Sequence, residues 1–322
     1  MRVRSITGAT ALTAAMLIAA IPGSSAVLAQ DELSGDVRLD GSSTVGPLSE
    51  VAAELFMEEN PRVRVTVAIS GTSGGFQKFC SGETDMNDAS RPIKEEEITT
   101  CGENGIGFDA IQVANDALAL LVNQGNTVDC LTTAQANQIW DEGSPVQTWG
   151  DIEGLDIPDE FGALELGKAL YGPGTDSGTF DFFTEAVNGE EGRVRIDYID
   201  IGEDDNAAVT AVQGIEHAMG YVPYSYFQVA GDAVKPLAID AGQGCVDATI
   251  ENVQNGTYVP LGRPLFVYAS DTALARPEVL AFMNFYVEHA PEIAEFAGFV
   301  PMTEEQIEEQ RQKIAELVGT AE

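Results

Sequence analysis

From residue 37 onward the chain repeats one hydrophobic rhythm. An apolar run, VRLD, stops at GSST, and from Pro47 the residues Leu48, Val51, Ala52, Leu55 and Phe56 recur at helical spacing until Asn60-Pro61. RVRVTVAIS then sets Val63, Val65, Val67 and Ile69 against polar partners, breaks at GTSGG and resumes as FQKF, which is the same strand, loop and helix again. A third strand-like piece, TDMNDAS, leads into RPIKEEE, where Pro92 and the acids after it suit the first turn of a helix. FDAIQVANDALALLVN gives two apolar stretches broken at Asn115-Asp116, and its length predicts a strand that crosses between two lobes. Strand and helix keep alternating through LTTAQANQIW, GKALYGPG, TFDFFTEAV and NAAVTAVQGIEHAMGYV, so the class is α/β. After RPLFVYAS, a helix beginning at Pro277 places Val279, Phe282, Met283, Tyr286 and Val287 on one face. Thr303 with Gln306 forms the capping box of a final helix.

Length and charge narrow the class. Residues 1–29 carry Arg2 and Arg4, a small and apolar run, and Val27-Leu28-Ala29 at the end, which predicts an export signal cleaved before Gln30. No Cys follows closely, so a lipoprotein anchor has no attachment atom, and a periplasmic or extracellular location is expected. About 290 mature residues exceed one ordinary domain. Two lobes are expected, 30–115 with 260–322 as the first and 116–259 as the second. Cys80, Cys101, Cys130 and Cys245 are an even set in an exported chain, which points to disulfides, with Cys80–Cys101 and Cys130–Cys245 the favoured pairing. None of their spacings suits a zinc site, and His217 and His289 are the only histidines. With 52 acidic residues against 16 basic ones the formal charge is −36, which argues against nucleic acid or an anionic membrane as partner.

Against that charge stand three loops of one design. GSST at 41–44, GTSGG at 71–75 and DSGT at 176–179 each follow an apolar strand, carry hydroxyls and open a helix. The first N–H groups of a helix have no intrahelical partner and the peptide dipoles sum to a partial positive charge, so each loop can cradle an anion without a cation. A P-loop is excluded because no G-x-x-x-x-G-K-[ST] occurs. A serine hydrolase with Ser177 as nucleophile would need G-x-S-x-G or a His base; DSGT is not the former, and His217 lies within a helical pattern.

DGSSTV, SGTSGGFQKF, CSGETDMNDASRPI and YGPGTDSGTFDFF, in that order, resemble the PstS family, the extracytoplasmic phosphate-binding subunits of ABC importers. The likeness covers nearly the whole mature chain, including EDDNAAV, AMGYVPYSYF and RPLFVY. It implies a two-lobed periplasmic-binding-protein fold of type II, each lobe a β-sheet flanked by helices with a hinge between them. It also implies a monomer that closes on one inorganic phosphate and hands it to a membrane permease, with no cofactor, no metal and no catalysis. Carried over residue by residue, it points to Ser43, Thr44 and the Val45 N–H, to Thr72 and Ser73, to Ser177, Gly178 and Thr179, and to Arg91 from SRPI. The best-known branch has an Asp where this sequence has Arg91, and an Arg where this one has Pro173, so the cation comes from the other lobe. Arg91 is then expected to be the one cation on the ligand. Asp176 is expected either to cap the following helix or to accept the proton of hydrogen phosphate. Another tetrahedral oxyanion such as sulfate, or an extracellular phosphoesterase on the same scaffold, are the alternatives.

Overall fold

The computed structural model describes residues 33–202 and 204–319. The expected export signal lies outside them. β1 (Gly35–Gly41), α1 (Gly46–Glu59), β2 (Val63–Ile69), α2 (Thr72–Cys80), β3 (Met86–Ala89) and α3 (Glu95–Glu103) reproduce the alternation of the first lobe. β1 lies between β2 and β3 and runs parallel to both. α3 begins three residues after Pro92, not at it: Glu97 reaches back to the Lys94 N–H, and the acids Glu95, Glu96 and Glu97 fill its first turn.

β4 (Phe108–Val122) is one strand of 15 residues. Its first part pairs antiparallel with the return strand Gly262–Ser270, from Phe108 opposite Ser270 to Ala117 opposite Gly262. From Leu118 its partner is Met219–Pro223 instead. The strand order is therefore β2, β1, β3, the return strand, β4, Met219–Pro223, Leu170–Gly172 and Ile199–Asp200. Two hydrophobic cores meet near this change of partner. One gathers Val37, Leu39, Leu48, Phe56 and Met86 with Phe282 and Tyr286; the other gathers Leu118, Leu131, Trp140, Trp149, Phe183 and Tyr221.

The helix Pro277–Glu288 buries Val279, Phe282, Met283, Tyr286 and Val287, the face that periodicity assigns to it. Thr303 and Gln306 exchange the two capping hydrogen bonds. Disulfides join Cys80 to Cys101, at the ends of α2 and α3, and Cys130 to Cys245, across a small sheet of three strands. Among the described residues no helix is long and apolar enough to cross a membrane.

Candidate functional site

All three glycine and hydroxyl loops open helices, but they differ in what their backbone offers. β1 ends at Gly41 with φ +144°, where a Cβ would lie 2.2 Å from the Asp88 carbonyl oxygen, so only glycine lets the chain turn there. Ser42 Oγ then accepts from the N–H groups of Thr44 and Val45, at 3.1 and 3.4 Å. The Val45 N–H is thus engaged within its own loop, and Val45 itself is buried.

α2 is the most open of the three starts. Its N-cap is Gly71 at φ +76°, with no side-chain cap, and the N–H groups of Thr72, Ser73 and Gly74 have no acceptor among the described residues. Gly75 lets this helix approach the sheet, since a Cβ there would lie 2.6 Å from the Gly41 Cα. At the third loop the cap is Ser177, whose Oγ accepts from the Thr179 N–H at 3.3 Å. Asp176, expected as a possible cap, is exposed and makes no capping bond; the helix Gly178–Asn188 starts one residue too late for it. A Cβ on Gly178 would sit 3.1 Å from Thr44 Oγ1, so this helix start abuts the first loop.

A cavity of about 290 Å³ opens between the two cores. Ser43, Thr44, Thr72, Ser73 and Arg91 line one wall, as the sequence suggests. Asp181, Phe182, Glu185 and Glu191 line the opposite wall, and Arg263 from the return strand reaches between the two, against Thr44 on one side and Phe182 on the other. Val45, Asp176, Ser177, Gly178 and Thr179 are not on the lining.

Beside Arg91, the expected cation, the cavity carries a second guanidinium, Arg263. Arg91 donates to both Glu97 oxygens at 2.8 and 2.9 Å, to the Pro92 carbonyl at 3.0 Å and to Ser73 Oγ at 2.8 Å. Its hydrogen bond to Glu97 raises the Arg91 pKa further, and burial only partly opposes this. Arg263 is mostly buried, and it donates to Asp116 Oδ2 at 3.1 and 3.2 Å and to Thr44 Oγ1 at 3.3 Å. Burial pushes its pKa down and Asp116 pushes it back up. Lys94 also reaches the cavity rim and is exposed.

The acids on the opposite wall are the other group that sequence reasoning missed. Asp181 is pushed up to about 6, first by burial and then by the neighbouring charge and hydrogen bond of Glu191, with Arg263 opposing and Glu185 adding. A carboxyl held near that value can accept a proton-bearing oxygen above it and donate below it. Neutral hydroxyls, free helix N–H groups, two pre-paired guanidiniums and one tunable acid together fit a protonated tetrahedral oxyanion. Ser177 Oγ is engaged with its own helix, and His217 lies in the turn beyond the helix Asp205–Gly214, where its carbonyl accepts from Trp149 Nε1 at 2.9 Å.

Residues 26–289 match the PBP superfamily domain. The protein SphX of Synechococcus elongatus is 41% identical over 269 residues, covering 83% of this chain and 77% of that protein. The phosphate-binding protein PstS of Staphylococcus saprophyticus is 35% identical over 316 residues, covering 97% and 94%. Among solved structures, one described as a possible phosphate binding protein from Planctomyces limnophilus superposes with a TM-score of 0.81 at 39% identity, covering 88% of this chain and 99% of that one.

Proposed function

The chain belongs to the PstS family of phosphate-binding proteins, within the PBP superfamily, and on that premise we propose that it binds inorganic phosphate outside the cytoplasm and delivers it to an ABC-type importer. The observation that carries the reading is the cavity between the two cores, lined by unsatisfied helix N–H groups, hydroxyls and two arginines on a chain of charge −36. Ser43, Thr44, Thr72, Ser73 and Arg91 supply the first donors. Ser177, Gly178 and Thr179, which begin the helix abutting Thr44, join them when the lobes close. The lobes are 30–115 with 260–322 and 116–259, residues 1–29 are the export signal, and the protein works as a monomer.

Phosphate is favoured over sulfate by Asp181, in place of Asp176. Hydrogen phosphate offers a proton to a carboxylate, whereas sulfate has none at neutral pH and would face an unpaired negative charge. Calorimetric titration of the purified protein with phosphate and then sulfate at pH 7.5 tests this, and phosphate is expected to bind far more tightly. Equal affinities would overturn the assignment. Arg91→Ala is expected to weaken phosphate binding by about tenfold or more, the scale of a charge-assisted hydrogen bond. A loss under about threefold would confine Arg91 to its ion pair with Glu97.

A further inference from the structure

Arg263 touches three parts of the molecule at once. Its Nε and Nη2 donate to Asp116, next to the point where β4 changes partner, and Nη2 also reaches Thr44 Oγ1 in the first loop. Its guanidinium carbon lies 3.5 Å from the ring centroid of Phe182, on the helix Gly178–Asn188 that belongs to the other core. We propose that Arg263 is a second anion-contacting cation, and that its guanidinium couples phosphate binding to closure of the two lobes. The inference rests on the phosphate reading above.

Donor by donor, Arg263 has more left to give than Arg91. Both terminal nitrogens of Arg91 are already engaged, by Glu97, Pro92 and Ser73. Nη1 of Arg263 makes no hydrogen bond among the described residues, although the residue lines the cavity. Both N–H groups of Nη1 are therefore available to donate to oxyanion oxygens, while Nε and Nη2 stay on Asp116 and Thr44. Asp116 holds the fork from behind, and the Phe182 face fixes its plane. An arginine placed only to neutralise Asp116 would require neither a position on the cavity nor a ring from the opposite lobe. Net stability does not explain the pair either, since a buried ion pair is at best a weak stabiliser. An anion held by Nη1 would be gripped from the hinge, the first loop and the far helix through one side chain, and the two lobes would lose freedom to part.

Calorimetry with inorganic phosphate on wild type, Arg263→Gln and the double variant Asp116→Asn/Arg263→Gln tests the proposal, with melting temperature and small-angle scattering measured alongside. Arg263→Gln strands the buried Asp116 charge, so it is expected to lose both stability and affinity. The double variant removes both charges. It is expected to regain the melting temperature while still binding phosphate about tenfold or more weakly than wild type, and to show no phosphate-induced decrease in radius of gyration. A double variant that binds within about threefold of wild type would reduce Arg263 to a partner for Asp116 and overturn the proposal. Arg263→Lys keeps Asp116 paired and decides the matter if the double variant does not fold: affinity is expected to fall by a similar factor, and unchanged affinity overturns it. Failure of the wild type itself to bind phosphate would remove the phosphate reading and this inference together, an outcome distinct from any in which only the variants fail to differ.

Discussion

Asp176 and Asp181 show how close a sequence can come to a site residue and still miss it. Asp176 is the acid inside GPGTDSGTF, so a reading of motifs selects it, but the helix takes Ser177 as its cap and leaves Asp176 in solvent. Asp181 looks like an ordinary first-turn acid, and its distinction is a distance in space to Glu191 and Arg263, which spacing does not encode. Its pKa of about 6 in the folded protein lies above the ordinary aspartate value of 3.8, so the stability it contributes is fully present below about 3.8 and is lost as pH rises through about 6. In the free protein at pH 7.5 the ionised acid is a cost, and Asp181→Asn is expected to raise the melting temperature by roughly 1–3 °C. The same change should narrow the ratio of phosphate to sulfate affinity. In the wild type that ratio should shrink as pH falls from 7.5 to 5, because a protonated Asp181 no longer repels sulfate, and in the variant it should stay low throughout. Titrations at the two pH values check both statements; a variant with wild-type selectivity at pH 7.5 would remove Asp181 from the proposal. Arg263 did leave a trace in the sequence. Asp116 interrupts the long apolar stretch of β4 and Arg263 stands at the start of another apolar strand, and an acid buried in such a run needs a cationic partner.

At the scale of elements, most of the fold was legible because each strand and helix carries its own period. β1 to α2 follow the alternation closely, and the buried face of Pro277–Glu288 is the one its apolar residues define. The start of α3 was misplaced because Pro92 suits a helix start, whereas the reach of Glu97 to the Lys94 N–H sets the true beginning. The disulfides divide their work along the same elements. Cys130 and Cys245 are 115 residues apart and Cys80 and Cys101 only 21. Closing the longer loop should stabilise by roughly 1.5 kcal/mol more on the chain-entropy model. The shorter one fastens α2, which presents Thr72 and Ser73, to α3, which holds Glu97 against Arg91. The Cys80→Ser/Cys101→Ser variant is therefore expected to lose more phosphate affinity, and Cys130→Ser/Cys245→Ser more stability. Urea unfolding and calorimetry on the two double variants separate these effects. If the 130–245 variant proved the weaker binder, the assignment of site support to the α2–α3 bridge would fail.

The whole molecule sets a problem that no single residue resolves, since a chain of formal charge −36 must admit a dianion. On the proposed reading the cavity solves it at short range, through helix N–H groups and two guanidiniums that donate within a few ångströms. Both arginines are already matched by Glu97 and Asp116, so they add directed donors more than net positive charge. At long range the field remains that of the acidic surface, and it repels the ligand during approach. Salt screens the two ranges unequally: the Debye length falls from ~30 Å at 0.01 M to ~8 Å at 0.15 M, which removes the distant repulsion and leaves contacts at hydrogen-bond distance almost untouched. Electrostatic steering normally makes association slower as salt rises. Here the sign should reverse. The association rate constant for phosphate is expected to increase several-fold between 0.01 and 0.15 M NaCl while the dissociation rate constant changes little, so that affinity improves with salt. Stopped-flow fluorescence at constant pH measures both constants. An association rate that falls across the same range would mean that Arg91, Arg263 and Lys94 together dominate the approach path, and that the acidic shell is too evenly spread to be felt at the mouth of the cavity.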